Sequence, residues 1–191
     1  GYINMSGVEV IPCKYAYAYD FFFFFTAVVV NFDDEGYHGK SGLIDMSGRE
    51  ILPCIYDHLS PFIDDLTRVG VNEKYGFIDR EGRIVIPIGY DLAGDFSEGL
   101  AYVLVNGKYG YIDKKGSVVI PFIYDDASDF DCGFASIGIN GKRGLIDNKG
   151  RMVIPCKYDH LIWNSYGEGY SRVKLNGREG YVDLFGNEIW K

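Results

Sequence analysis

A chain of 191 residues with 27 acidic against 19 basic side chains and a formal charge of −8 has no basic stripe for neutralising phosphates, which argues against a nucleic-acid binder. Its most apolar run, Phe21 to Val30, is about half of the roughly 20 residues a membrane helix requires, so no membrane span is expected. The 16 Tyr, 13 Phe and 2 Trp provide for a substantial core, and the 25 glycines fall mostly at turn positions, which is not the pattern of a disordered chain.

Along the chain one pattern recurs six times, opened by Gly1, Gly42, Gly76, Gly110, Gly144 and Gly180 at spacings of 41, 34, 34, 34 and 36 residues. Such a period predicts a repeat architecture. Two places after each glycine stands an aliphatic residue, followed by Asn4, Asp45, Asp79, Asp113, Asp147 or Asp183. Six places on there is again glycine, from Gly7 to Gly186. An apolar pair then closes on proline in five copies, with a tyrosine three residues later: Tyr15, Tyr56, Tyr90, Tyr124 and Tyr158. The sixth copy ends first, at Trp190-Lys191.

Asp-x-x-Gly between short apolar runs is hairpin chemistry: the carboxylate accepts a backbone N–H two residues on, and the glycine takes positive φ. Asn106-Gly107, Asn140-Gly141 and Asn176-Gly177 mark a second hairpin on the other side of each opening glycine. In the middle copy the strands are predicted near Leu100 to Val105, Tyr109 to Asp113 and Ser117 to Ile120. Pro121 cannot donate to a ladder, so the third strand should end there or lie at an edge. Three strands leave the chain at the wrong end for the next copy, so a linker such as Tyr124 to Gly133 must travel back, anchored by Ala127 and Phe130. The predicted fold is all-β: tandem repeats of about 34 residues, each a three-stranded antiparallel meander with a crossing linker, forming one array over 1–191. Six hairpins but only five first strands favour an open array over a propeller-like ring, the first copy lacking its first strand.

Candidate chemistry is sparse. Cys13, Cys54 and Cys156 share one repeat position with Ile88 and Phe122, which predicts small buried apolar residues and no disulfide or metal role. Unpaired thiols favour a reducing compartment such as the cytoplasm, although a removed signal peptide would fit the same sequence. His58 and His160 are equivalent positions three copies apart, and His38 lies in an insertion, so no metal site is expected. No phosphate loop, metalloprotease or hydrolase motif is present. Paired acids such as Asp64-Asp65 and Asp125-Asp126 read as solvated turns. The expectation is a non-enzymatic chain with no catalytic residue, metal or cofactor.

The stretch Asn106-Gly-Lys-Tyr-Gly-Tyr-Ile-Asp-Lys-Lys-Gly-Ser-Val-Val-Ile-Pro121, with Tyr90-Asp-x-Ala-x-x-Phe-Ser-Glu-Gly-Leu-Ala101 before it, resembles the WG-repeat (KWG) family of bacterial proteins. The hallmark tryptophan is replaced here by Ser41, Tyr75, Tyr109, Arg143 and Glu179. The resemblance implies an all-β binding or scaffolding array and carries over no catalytic residue. Repeat arrays present extended surfaces, so a protein-interaction scaffold is expected; the alternative is a carbohydrate or cell-wall binding module using exposed tyrosines.

The first copy breaks the pattern twice. Phe21 to Phe25 occupy the places of Phe96 to Leu100, and seven extra residues, Phe32 to His38, precede Gly39. Exposed rings would make an apolar patch of the kind soluble monomers avoid. Either the insertion caps them, or Phe22, Phe23 and Tyr37 contact a partner or a second copy of the chain.

Overall fold

The structure is a computed structural model that describes residues 1–21, 25–30, 39–60, 62, 65–163 and 169–191. It divides into two compact units, Gly1–Gly89 and Tyr90–Lys191. All regular structure among the described residues is β, in tandem antiparallel sheets that do not close into a barrel.

The first unit begins with a two-stranded sheet of β1 (Tyr2–Ile3) and β2 (Glu9–Ile11). A four-stranded sheet follows: β3 (Tyr17–Ala18), β4 (Phe25–Val30), β5 (Lys40–Asp45) and β6 (Glu50–Tyr56), in that order. The next comprises β7 (His58–Leu59), β8 (Leu66–Val71), β9 (Lys74–Asp79) and β10 (Ile84–Tyr90). The second unit holds three such sheets. They are β11 (Leu92–Ala93), β12 (Leu100–Val105), β13 (Lys108–Asp113) and β14 (Val118–Tyr124); β15 (Asp126–Ala127), β16 (Phe134–Ile139), β17 (Lys142–Asp147) and β18 (Met152–Tyr158); and β19 (His160–Ile162), β20 (Tyr170–Leu175), β21 (Arg178–Asp183) and β22 (Glu188–Trp190).

The expected three-stranded meander is present, with one addition. Each linker makes its return journey as a fourth strand of two or three residues, antiparallel to the first: Leu92 pairs with Leu104 and Ala93 with Val103. This resolves the parity problem. A four-strand unit ends where the next begins, and the linker's backbone groups join a ladder.

The proline strand also differs from expectation. It lies at the sheet edge, as anticipated, but runs through Pro121 to Tyr124. The ladder accommodates the proline by shifting register: Tyr111 faces Ile120, whereas Tyr109, two residues back, faces Tyr124. A bulged edge is where a residue without an N–H fits. The bulge folds the Ile120 carbonyl over β13, so a Cβ at Gly110 would stand 2.6 Å from that oxygen. The same approach, at 2.5 to 2.7 Å from the corresponding carbonyl, recurs at Gly1, Gly42, Gly76 and Gly144, and at Gly180 the Ile189 carbonyl of the unbulged β22 comes as near, at 2.5 Å. The period-setting glycines are therefore steric necessities.

Both faces of the inner sheets are apolar because the sheets stack. In the second unit Leu100, Tyr111, Ile120, Tyr124 and Phe130 pack on Ala135, Ile137 and Ile146 of the following sheet. Leu145, Ile154, Tyr158 and Leu161 then pack on Val173 and Val182. In the first unit Leu43, Leu52, Tyr56 and Phe62 meet Val69 and Ile78. Fully buried side chains such as Ile112, Ile137 and Ile146 each contribute on the order of 2 kcal/mol. Tyr111 keeps its hydroxyl satisfied by donating to the Ser128 carbonyl at 2.8 Å, and its ring lies edge-on to Phe130 at 4.8 Å.

Three junctions between consecutive copies also interlock at the turns. A Cβ at Gly48 would lie 3.3 Å from the side chain of Ile11 of the preceding copy, one at Gly150 would lie 3.3 Å from Ile120, and one at Gly82 would overlap Leu52.

Candidate interaction surface

The repeated aspartates are turn residues in the structure. Oδ1 of Asp113 accepts the N–H of Lys115 at 2.9 Å and of Ser117 at 2.8 Å. Asp45, Asp79, Asp147 and Asp183 do the same two and four residues on. These bonds favour the ionised carboxyl. The Ser47 hydroxyl and the neighbouring amides hold Asp45 down at about 2.

A second aspartate series does work that the sequence did not reveal. In four copies the residue after the tyrosine reaches across to the following hairpin. Oδ2 of Asp57, Asp91, Asp125 and Asp159 accepts the backbone N–H of Asn72, Asn106, Asn140 and Asn176, at 2.7 to 3.1 Å. Oδ1 of Asp57, Asp125 and Asp159 pairs with Lys40, Lys108 and Lys142. The lysine side-chain hydrogen bond, with the asparagine amide, lowers the carboxyl pKa of all three. Asp125 is thus a clamp on two hairpins and not a solvated turn.

With the frame accounted for, the register leaves one row per sheet whose composition is free to change. It runs across linker strand, first strand and second strand: Tyr17, Val29, Ser41; His58, Gly70, Tyr75; Leu92, Leu104, Tyr109; Asp126, Gly138, Arg143; and His160, Lys174, Glu179. The family's tryptophan position ends each row. Where the middle residue is glycine, the outer two meet over it. His58 stacks on Tyr75 with centroids 5.7 Å apart and 20° between planes, and a Cβ at Gly70 would be 3.1 Å from both side chains. Arg143 pairs with Asp126 over Gly138. Where the middle residue is Leu104, Tyr109 turns edge-on to Tyr102 at 5.9 Å.

Phe22, Phe23 and Tyr37, the residues proposed from sequence for partner contact, lie outside the described residues. Their neighbour Phe21 is half-buried, its ring 4.8 Å from that of Tyr2. The four cysteines are free thiols. Cys54 and Cys156 are partly buried, and burial pushes the Cys156 thiol up to about 11. Cys13 departs from the expectation of burial and is exposed. Cys54 and Cys156 sit on edge strands packed against the core of the preceding sheet, whereas no core among the described residues reaches Cys13. His58 and His160 fall in separate rows, and no cluster of three metal-ligating side chains forms among the described residues.

No curated protein matches the chain. Among solved structures it is similar to BBS1N in complex with ARL6DN (10% identity, 96% of this chain, 67% of that chain, TM-score 0.42). It is also similar to the eukaryotic initiation factor (12% identity, 97% and 70%, TM-score 0.39) and to the tricorn protease (15% identity, 87% and 20%, TM-score 0.33). Scores this low do not establish a shared architecture. The model of the WG containing repeat matches residues 1–22, 42–75, 75–109, 109–142 and 144–178, most of the chain, which therefore belongs to the WG repeat family.

Proposed function

We propose that this repeat scaffold is non-enzymatic and binds another protein through its variable rows. The observation that supports the reading is the separation of roles: the turn and clamp positions hold nearly one residue type each and the stacking positions stay apolar, whereas the row ends read Ser41, Tyr75, Tyr109, Arg143 and Glu179. Successive sheets can thereby offer different chemistry on one frame. Titratable groups shifted from their ordinary range, including Asp45, Asp125, Tyr111 and Cys156, have folding partners or burial as the cause, so none calls for a catalytic role.

The glycan alternative rests on the exposed pair Tyr17 and Tyr19, centroids 4.8 Å apart. It needs rings repeated at equivalent positions, and Tyr75 and Tyr109 are half-buried. A photo-crosslinking residue at position 75 or 109, with position 115 as an off-row control, separates the readings in the source cell. Protease-sensitive adducts at 75 and 109 above the control are expected. Adducts that only a glycosidase removes, or yields no greater than at 115, would overturn the protein-scaffold reading.

A further inference from the structure

The sheet β19–β22 carries a row unlike the others. At the three first- and second-strand positions where the sheet β11–β14 has Tyr102, Leu104 and Tyr109, this sheet has Arg172, Lys174 and Glu179. All three are exposed. Charged side chains at these positions are unsuited to being stacked under another sheet, because burial without full pairing costs more than packing returns. The opposite face of the sheet supplies Val173 and Val182 to the core, so one side is committed to folding and the other is not.

The uncommitted side holds an open groove of about 280 Å³ whose lining includes His160, Ile162, Arg172, Lys174 and Glu179. Its charge runs against that of the chain. Lys191 lies over the Tyr181 ring at 5.3 Å, so Arg172, Lys174 and Lys191 face a single row carboxylate, Glu179, on a molecule whose formal charge is −8. Arg172 is held by Glu179 at 2.8 Å. That bond fixes the guanidinium at the rim of the groove, and Lys174 is the other lining cation, within electrostatic reach of Glu179 and Asp159. Ile162, 48% exposed, supplies an apolar wall.

Building on the proposed protein-binding role, the geometry points to this face as the docking site for an extended acidic segment of a partner protein, with carboxylates at Lys174 and Lys191 and an aliphatic side chain against Ile162. At physiological salt charges interact over about 8 Å. The acidic remainder of the chain therefore does not prevent docking, while the local cations select the segment.

The full chain is titrated with the fluorescein-labelled peptide Glu-Glu-Ile-Glu-Glu-Ile-Glu-Glu, read by fluorescence anisotropy, and with its Gln-for-Glu counterpart. Saturable binding of the Glu peptide is expected, weakened about tenfold by Lys174→Glu and by no more than about twofold by Lys115→Glu at a distant turn, since a rim charge acts locally. Lys174→Gln, with thermal melts of both variants, carries the test if the reversal fails to fold. Equal losses at positions 174 and 115, equal binding of the Gln peptide, competition by a single-stranded oligonucleotide as strong as by unlabelled peptide, or absence of binding would each overturn the assignment. If crosslinks at positions 75 and 109 persist in any of those cases, the scaffold reading stands and only this face is rejected.

Discussion

Gly110 and Gly116 look alike in sequence, yet they are glycines for different reasons. At Gly110 the obstacle is the Ile120 carbonyl, 2.6 Å from any Cβ. At Gly116 it is the backbone, held at φ 80°. The turn chemistry of Gly116 was legible because Asp-x-x-Gly is a local pattern. The reason for Gly110 was not, because it depends on a bulge ten residues away. Gly110→Ala should lower stability by about 2 to 3 kcal/mol, the upper part of the range for single substitutions, and Gly116→Val by about 1 to 3 kcal/mol through strained backbone. Urea unfolding measures both, and a loss at Gly110 below about 0.5 kcal/mol would mean that the bulge yields freely.

The clamp aspartates make a pH prediction. Asp57, Asp125 and Asp159 have folded-state pKa values below the ordinary one, so the stability they add is fully present above that ordinary value, about 3.9, and is lost as pH falls through the lowered values. The melting temperature should hold from neutral pH to about 5 and drop below about 4. In Asp57→Asn/Asp125→Asn/Asp159→Asn it should start lower and fall less steeply. A triple variant with the wild-type acid profile would remove these residues from the account. Nothing in the local sequence announced the clamp, since Lys108 and Asp125 are 17 residues apart and meet only once the copies have folded.

For whole elements, the six-residue strands were readable from alternation and the Asn-Gly signals: Leu100–Val105 stands where it was predicted. The fourth strand was not, because two residues such as Leu92–Ala93 are too few to show a period of 2. At the opposite edge of the sheet β14 poses the opposite problem, an edge strand rich in β-branched residues. Val118 and Val119 are 53% and 43% exposed, the composition of a strand that recruits a partner. Pro121 and the shifted ladder disrupt that template. Pro121→Val should therefore leave the monomer's melting temperature nearly unchanged but raise self-association, seen by light scattering at increasing concentration. A variant that stays monomeric at millimolar concentration would show that the bulge suffices without the ring.

On the scale of the molecule, the period of about 34 residues announced tandem sheets, but no sequence feature announced the division at Gly89 and Tyr90, which falls inside a copy. Each unit has its own stacked cores, so a fragment of residues 90–191 should melt cooperatively when expressed alone. A fragment lacking a cooperative transition would show that the two units need each other to fold. Phe22, Phe23 and Tyr37 were conspicuous in sequence because they break the pattern, whereas the groove beside Lys174 was hidden because a lysine on a strand looks like any solvated residue.

The interlock of Gly48 on Ile11, Gly82 on Leu52 and Gly150 on Ile120 has a genealogical consequence. These three junctions use the same pair of positions, so a gene of this kind can lose or gain a copy by recombination while reusing an existing contact, provided the exchange spans one whole period. Excision of Gly110 to Arg143 would join Tyr109 to Gly144 and rebuild a sheet from β11, β12, the fused strand and β18. A change in copy number then shifts which row chemistries stand side by side, and the binding repertoire can diversify by splicing while the fold is inherited intact.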